Sequence, residues 1–207
     1  MRVETIVVGD FAVNCYLVAG PTHAFVIDPG AEPEEIADAL QRFRLPVGGY
    51  LLTHGHIDHI SGLAALVRRY PAPVTIHARD HSWAFAETNQ LLPHYPVPEQ
   101  PQTAFREIEE GMDPTDGELQ ARTMVVPGHT PGSVCFYFEK AKVAFTGDTL
   151  FAGSVGRTDL PGGNSRQLTA SLAKLAALPD DTVVYPGHGP RTTIGEEKRT
   201  NYFLSQF

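Results

Sequence analysis

Cysteine and positive charge are both scarce in this chain of 207 residues. The two cysteines, Cys15 and Cys135, do not form a metal-binding or redox spacing. A disulfide scaffold is therefore excluded, and a reducing compartment agrees with the composition. Lys and Arg number 16 against 24 Asp and Glu, which gives a formal net charge of -8. Because nucleic acids and anionic membranes attract a positive surface, we expect neither as a partner.

Long apolar runs are also absent. No window approaches the roughly 18 apolar residues that a membrane span requires. The N-terminal segment contains Glu4 and lacks the apolar core of a signal peptide. Hydrophobic residues still make up 42% of the chain, enough for a sizeable core. We expect a cytoplasmic protein with a single domain over residues 1–207, present as a monomer or small homo-oligomer.

Short apolar runs between Gly- and Pro-containing turns predict strands, and apolar residues at helical spacing predict helices. This order predicts an α/β protein in which two sheets pack together and helices cover their outer faces. The predicted strands are 2–8, 13–19, 23–28, 49–53, 74–77, 105–108, 118–126, 133–138, 142–146 and 182–185. The predicted helices are 33–43, 60–70, 165–177 and 195–205.

The segment 53–59, Thr-His-Gly-His-Ile-Asp-His, carries the strongest chemical signal. It contains His54, His56, Asp58 and His59 between a predicted strand and a predicted helix. Imidazole and carboxylate are the ligands that divalent zinc, iron and manganese favour. Packing alone does not explain the cluster, since an unpaired buried polar group costs about 1–3 kcal/mol. We expect Gly55 to allow an unusual backbone conformation between the two first ligands.

Three further candidates follow predicted strands, each beside a glycine. They are His129 in a Pro-Gly-His-Thr-Pro-Gly turn, Asp148 in Thr-Gly-Asp-Thr, and His188 in Pro-Gly-His-Gly. Loops at the strand ends of a rigid scaffold commonly carry functional groups. The sequence therefore predicts that these three side chains join the first cluster.

In the order and spacing of these residues, the sequence resembles the metallo-β-lactamase superfamily over nearly its whole length. The resemblance implies a four-layer αβ/βα sandwich with two divalent metal ions, zinc first and iron or manganese as alternatives. It implies three ligands for each metal and one bridging residue. By resemblance, His54, His56 and His129 hold the first ion, Asp58, His59 and His188 hold the second, and Asp148 bridges the two.

Such a centre predicts hydrolysis. A bound divalent ion can lower the pKa of water from 15.7 to about 7, so hydroxide is available at neutral pH. The metal ions also stabilise the oxyanion that forms when hydroxide attacks a carbonyl. We expect Asp58 to take a catalytic part as well, by orienting the nucleophile or accepting its proton.

The segment after Asp148 resembles the Gly-Arg-x-Asp region of glyoxalase II-like hydrolases. The resemblance implies that Arg157 binds a carboxylate of an acyl-thioester substrate such as a hydroxyacylglutathione. An internal ion pair between Arg157 and Asp159 is the alternative. Eukaryotic-type glyoxalase II has a further helical domain after the last histidine, whereas only 19 residues follow His188 here. The chain resembles the short bacterial hydrolases in this respect.

Other activities stay open. A persulfide dioxygenase would use a single iron on His54, His129 and Asp148, and a lactonase would use the same ligand set as the thioester hydrolase. A metal-binding module without catalysis is the third alternative. Secreted β-lactamases fit less well.

Three predictions concern residues around the centre. Asp28 is expected to accept a hydrogen bond from a ligand histidine. The Pro-rich stretch 88–103 is either a surface loop or a lid, in which His94 would contact substrate. Trp83 and Phe85 are expected to pack beneath it.

Overall fold

The computed structural model describes residues 1–90 and 95–207. Its first sheet has six strands in the spatial order β1-β2-β3-β4-β5-β6. β2 pairs antiparallel with both β1 and β3, whereas β3, β4, β5 and β6 run parallel to one another. The strands are β1 (Arg2–Val8), β2 (Val13–Ala19), β3 (Ala24–Ile27), β4 (Val47–Leu51), β5 (Val74–Ile76) and β6 (Phe105–Glu107).

The second sheet has five strands in the order β13-β12-β9-β8-β7, and a separate hairpin pairs β10 with β11. Strands β9 and β12 are parallel, with Val183 opposite Val143, so that their carboxyl ends meet at one edge. The strands are β7 (Ala121–Val125), β8 (Val134–Phe138), β9 (Val143–Gly147), β10 (Leu150–Phe151), β11 (Ser154–Val155), β12 (Val183–Pro186) and β13 (Thr192–Thr193).

The helices follow the sequence signals at their ends. The first begins with Pro33, has two glutamates in its first turn, and ends at an Arg44 in the left-handed conformation. Asn164 and Thr193 cap two others through their side-chain oxygens. The helices are α1 (Pro33–Phe43), α2 (Ile57–Ile60), α3 (Leu63–Arg69), α4 (Ala78–Ala84), α5 (Ser165–Ala176) and α6 (Ile194–Thr200).

The molecule has four layers, and an apolar cluster fills each of the three interfaces between them. One joins α1 and α3 to the outer face of the first sheet, and includes Ile36, Leu63 and Val26. A second lies between the sheets, where Phe136 meets residues of the first sheet. The third joins the second sheet to α5, α6 and Leu204. The predicted αβ/βα sandwich is therefore confirmed.

Several predicted boundaries were wrong. The helix expected over 60–70 begins only at Leu63, as α3, and a separate short helix, α2, precedes it. Between the two helices, the N–H of Gly62 donates to the carbonyl of Pro29. The strand expected over 118–126 begins only at Ala121, after Gln120 adopts a positive φ of 51°. Helix α4 escaped prediction because only Asp80 and Ala84 are buried along it, so it has no apolar stripe.

The Pro-rich stretch 88–103 is only partly described. A 3₁₀ turn covers Glu87–Asn89, and the described remainder up to 103 has no helix or strand. The predicted substrate contact of His94 lies outside the described residues, so the choice between loop and lid stays a prediction. Within 1–90 and 95–207, no helix combines the length and apolar character that crossing a membrane would demand.

Candidate metal centre

Four loops at the strand ends bring the predicted ligands together. The segment 53–59 follows β4 of the first sheet, while His129, Asp148 and His188 follow β7, β9 and β12 of the second sheet. Two backbone hydrogen bonds join the sheets here. The N–H of Val134 donates to the carbonyl of Thr53, and the N–H of Asn14 donates to the carbonyl of Gly187. The facing sheets thus hold the loops at one common edge.

The first group of ligands contains three histidines. One nitrogen from each of His54, His56 and His129 lies within 4.8 Å of the others. All three residues are buried, and Nδ1 of His56 is 2.9 Å from Nε2 of His129. We call this group the first trio. An all-imidazole set of this kind suits zinc or iron.

The second group contains a carboxylate and is more open. Ligand atoms of Asp58, His59 and His188 also lie within 4.8 Å of one another. The His59 side chain is fully buried, but those of Asp58 and His188 retain 14% and 28% of their accessible surface. This second trio therefore faces the mouth of the site.

Asp148 lies between the two trios. Its Oδ1 is 3.4 Å from Nε2 of His59, and its Oδ2 is 3.6 Å from Nε2 of His129 and 3.5 Å from Nε2 of His188. Each oxygen therefore approaches ligand atoms of the predicted centre, as the expected bridging position requires. All seven predicted ligands are brought together.

Two buried atoms support occupancy by a cation. Nε2 of His54 and Oδ1 of Asp148 have no hydrogen-bond partner among the described residues. Leaving a buried polar atom unpaired costs about 1–3 kcal/mol, which coordination to a metal ion would remove. The donor set and its unpaired atoms fit a pair of divalent ions.

Hydrogen bonds at the far nitrogen orient three of the imidazoles. Nδ1 of His129 donates to the carbonyl of Arg157 at 2.8 Å, and Nδ1 of His188 donates to that of Phe11 at 2.9 Å. A carbonyl oxygen only accepts, so the proton is on Nδ1 and the lone pair of each neutral ring is on Nε2. Nδ1 of His59 likewise contacts Oδ2 of Asp28 at 3.0 Å.

Burial and neighbouring imidazoles keep two rings of the first trio, those of His54 and His56, neutral. Burial lowers the pKa of His54, and the neighbouring imidazoles lower it further. Burial and His129 lower the pKa of His56 to about 4, despite the opposing charge of Asp58. Both rings therefore keep a lone pair free for a metal at neutral pH.

The carboxylates of Asp58 and Asp148 dominate the electrostatics around the second trio. Burial opposes ionisation of Asp148 and Asp58, but the neighbouring imidazoles, above all His59, outweigh burial and lower both pKa values. Burial lowers the pKa of His59, yet Asp148 and Asp58 outweigh it and raise the net value. Two ionised carboxylates thus stand ready to offset the charge of bound cations.

The predicted role of Asp28 is confirmed. Its Oδ1 accepts from the N–H of Thr53 at 2.8 Å, and its Oδ2 accepts from Thr53 Oγ1 at 2.6 Å and faces Nδ1 of His59. These contacts engage both carboxylate oxygens, one of which also lies within 4.8 Å of nitrogens of His54 and His59. Asp28 therefore orients a ligand histidine and the loop that carries it.

The sequence analysis missed Asp80, on α4. Its Oδ2 accepts from the N–H of Gly55 at 2.9 Å and from Thr130 Oγ1 at 2.7 Å, and its Oδ1 accepts from the N–H of Gly132 at 2.7 Å. One buried carboxylate thus ties the loop of His54 to the loop of His129. The sequence contained no signal for it, because Asp80 belongs to no motif.

The explanation predicted for Gly55 was wrong. It does not adopt a positive φ, unlike Gly128, Gly147 and Gly189 beside the other ligands. Space explains the residue instead, since an added Cβ would lie 3.1 Å from the Cβ of Ala84 and 3.3 Å from that of Asp80. Close approach of α4 to this loop therefore leaves little room for a side chain at position 55.

Arg157 forms the ion pair that was one of the two alternatives. Its Nε and Nη2 donate to the two carboxylate oxygens of Asp159, each at 2.7 Å. Both side chains are exposed, at 60% and 68%. Only the carbonyl of Arg157 contacts a ligand, His129. Binding of a substrate carboxylate by Arg157 stays a prediction.

A pocket of about 260 Å³ opens beside the first trio. Its walls include His56, Trp83 and Leu160. The Trp83 and His56 rings are 5.5 Å apart, so Trp83 borders the site, whereas Phe85 packs against Phe105. The expectation that Trp83 and Phe85 pack beneath the Pro-rich stretch, without binding substrate, stays a prediction.

Known proteins share both the sequence and the fold. The metallo-beta-lactamase superfamily model matches residues 8–188. The hydroxyacylglutathione hydrolase GloC of Haemophilus influenzae is 36% identical over 211 aligned residues, covering 99% of each chain.

Two crystal structures are also similar. The BLEG-1 B3 metallo-beta-lactamase is 35% identical with a TM-score of 0.89, covering 99% of this chain and 100% of its own. TTHA1623, in a di-iron-bound form, is 40% identical with a TM-score of 0.87, covering 97% of this chain and 100% of its own. The four-layer fold, the seven converging side chains and these likenesses lead to one conclusion: the chain belongs to the metallo-β-lactamase superfamily of metallo-hydrolases.

Proposed function

We propose that the protein is a dinuclear-metal hydrolase of thioesters, similar to the hydroxyacylglutathione hydrolases. The observation that carries the proposal is the pair of ligand trios with Asp148 between them. A complete second trio favours two metal ions over one. The likeness to GloC supports the thioester as the substrate class.

The first trio would hold one ion and the second trio the other, with Asp148 in contact with both. Bound there, two divalent ions would supply hydroxide at neutral pH and polarise the thioester carbonyl. Zinc, iron and manganese all suit the donor set, and we put zinc first.

The protein's own groups prepare the site for this reaction. Arg157 and Phe11 fix the tautomers of His129 and His188 through their carbonyls, so each Nε2 is aimed before metal or substrate arrives. We assign a further role to Asp58, whose Oδ2 lies 3.5 Å from Nε2 of His188 and near the open side. There it orients the nucleophile and accepts its proton.

Hydrolysis of the thioester needs no proton donor from the protein. The hydroxide oxygen bonds to the carbonyl carbon, the C–S bond breaks, and the sulfur leaves as a thiolate while the acid product ionises. Because a thiol has a pKa of only about 8.5, the thiolate is a good leaving group at neutral pH.

Metal analysis together with a substrate panel tests the proposal. The purified protein is stripped, reloaded with zinc, iron or manganese, and assayed on acyl-thioesters, a lactone, a β-lactam and glutathione persulfide. We expect two metal equivalents per chain and fastest turnover of thioesters. Tyr202→Ala, an exposed change outside the ligand trios, serves as the folded control.

Two outcomes would reject the proposal. Oxygen consumption with persulfide that depends on one iron per chain would identify a dioxygenase. Faster turnover of the lactone than of every thioester would identify a lactonase.

A further inference from the structure

Asp, Glu, Lys and Arg are absent from the described residues that line the pocket beside the first trio. Its lining includes Trp83, Pro131, Leu160 and Pro161, and His56 is the one lining residue with an ionisable side chain among the described residues. A pocket lined in this way favours an apolar ligand group, because a buried charge without a partner is costly.

Among the described lining residues, the polar side chains of Asn89 and His56 are already engaged, and the third, Thr88, carries only an uncharged hydroxyl. The side-chain amide of Asn89 donates to the carbonyls of Gly55 at 2.8 Å and Ala84 at 2.6 Å. Nδ1 of His56 faces Nε2 of His129. Neither group is therefore oriented to recognise a polar or charged substituent.

Arg157, the positively charged residue of the loop that carries Leu160, is also paired. Arg157 precedes Leu160 and forms two hydrogen bonds with Asp159. Its charge is offset by that carboxylate, and both side chains face solvent. The loop thus presents an apolar wall to the pocket while its ion pair stays outside.

The size of the pocket limits which part of a thioester enters it. A cavity of about 150 Å³ holds a benzene molecule, and this pocket has a volume of about 260 Å³. It has room for a ring or a short chain with a few further carbons. A tripeptide thiol such as glutathione is too large, so we assign the pocket to the acyl side.

We propose that this pocket binds the acyl substituent of the substrate and selects uncharged, apolar acyl groups of about four to eight carbons. The proposal rests on the proposed thioester hydrolysis and goes further, because it defines the substrate by the chemistry of one wall. It also places Trp83 and Leu160 as specificity-determining residues.

A matched pair of substrates tests the selection. Butyryl and succinyl thioesters of N-acetylcysteamine have acyl chains of equal length, but the first ends in a methyl group and the second in a carboxylate. With the metal-loaded enzyme we expect kcat/KM to favour butyryl by at least about tenfold. From acetyl to butyryl, kcat/KM should rise roughly fourfold for each added methylene.

Substitution of Leu160 in the pocket wall gives a second test of the selection. Leu160 is half-buried, so a longer side chain is accommodated there. Leu160→Lys should reduce the preference for butyryl over succinyl at least about tenfold, whereas Leu160→Met, of similar size and without charge, should leave it unchanged. A ratio that stays the same in Leu160→Lys would overturn the proposal, as would equal turnover of the two substrates by the unmodified enzyme.

The only tryptophan in the chain gives a readout that does not require catalysis. Trp83 lines the pocket, so its fluorescence should respond to occupancy. The probes are two thioethers that cannot be hydrolysed, S-butyl- and S-(3-carboxypropyl)-N-acetylcysteamine. We expect the butyl compound to shift the emission at a concentration at least about tenfold lower than the acid.

The two readouts separate the two possible failures. Preferential binding of the butyl thioether without thioester turnover would support the pocket and reject the proposed function. Turnover of thioesters with selectivity that follows the thiol instead of the acyl group would support the function and reject the pocket.

Discussion

The ligand cluster and the loop that borders the pocket differ in how firmly their side chains are held. In the cluster, the imidazoles of His59, His129 and His188 are fixed at the far nitrogen by a carbonyl or a carboxylate. In the loop, the Arg157 and Asp159 side chains pair only with each other and are exposed. Arg157 belongs to both regions, since its carbonyl holds His129 while its side chain points to solvent.

This difference separates two requirements. Chemistry at the cluster needs ligand atoms in fixed positions, and burial with complete hydrogen bonding provides them. In our proposal, selection of substrate depends on side chains of the loop that can change without disturbing the predicted ligands. Four substitutions test this difference between cluster and loop, and the expected effects become smaller from the first to the last.

Asp148→Ala should have the largest effect. It removes the carboxylate between the trios, and the charge stabilisation that metal ions supply is worth several kcal/mol. We expect thioester kcat/KM to fall at least about a thousandfold and the metal content to drop below two per chain. Elemental analysis and kinetics measure both, and retention of full activity would show that Asp148 does not belong to the centre.

Asp28→Asn should have the next largest effect. The amide cannot accept at both atoms as the carboxylate does toward Thr53 and His59. Loss of such a supporting contact lowers metal affinity or activity by about 10- to 100-fold. Chelator competition measures the affinity, with the exposed Asp38→Asn on α1 as the matched control. Equal affinities in the two variants would remove Asp28 from the support of the centre.

Asp80→Asn should destabilise the protein and slow catalysis modestly. Its carboxylate accepts three hydrogen bonds from the two ligand loops, and the amide leaves at least one buried donor unpaired. We expect about 1–3 kcal/mol less stability in urea unfolding and roughly a tenfold lower kcat. If the Asp80→Asn and Asp38→Asn variants are equally stable, Asp80 does not hold the loops of His54 and His129 together.

Arg157→Ala should have the smallest effect. Its exposed ion pair with Asp159 adds little, and the carbonyl that holds His129 remains. For an uncharged acyl-thioester we expect KM to change less than about threefold. A tenfold or larger rise in KM for glutathione thioesters alone would instead support the predicted binding of a substrate carboxylate.

Most of the fold could be predicted from the sequence, and the structure brings the seven predicted ligands close together. Strands such as Val13–Ala19 and the helix Pro33–Phe43 have apolar periods and end signals that local sequence contains. The break between α2 and α3 and the short α4 were missed. Gly62 donates to a carbonyl far away in sequence, and α4 has too few buried residues to show a period.

The sequence by itself determined which side chains are candidate metal ligands and which elements carry them, because residue type, spacing and periodicity are local properties. Only the tertiary structure decided how they are held. The partners of Asp80, the tautomer of His129 and the position of Trp83 beside His56 depend on residues distant along the chain. Such contacts arise when the two sheets pack and their loops meet at one edge, and no local pattern records that packing.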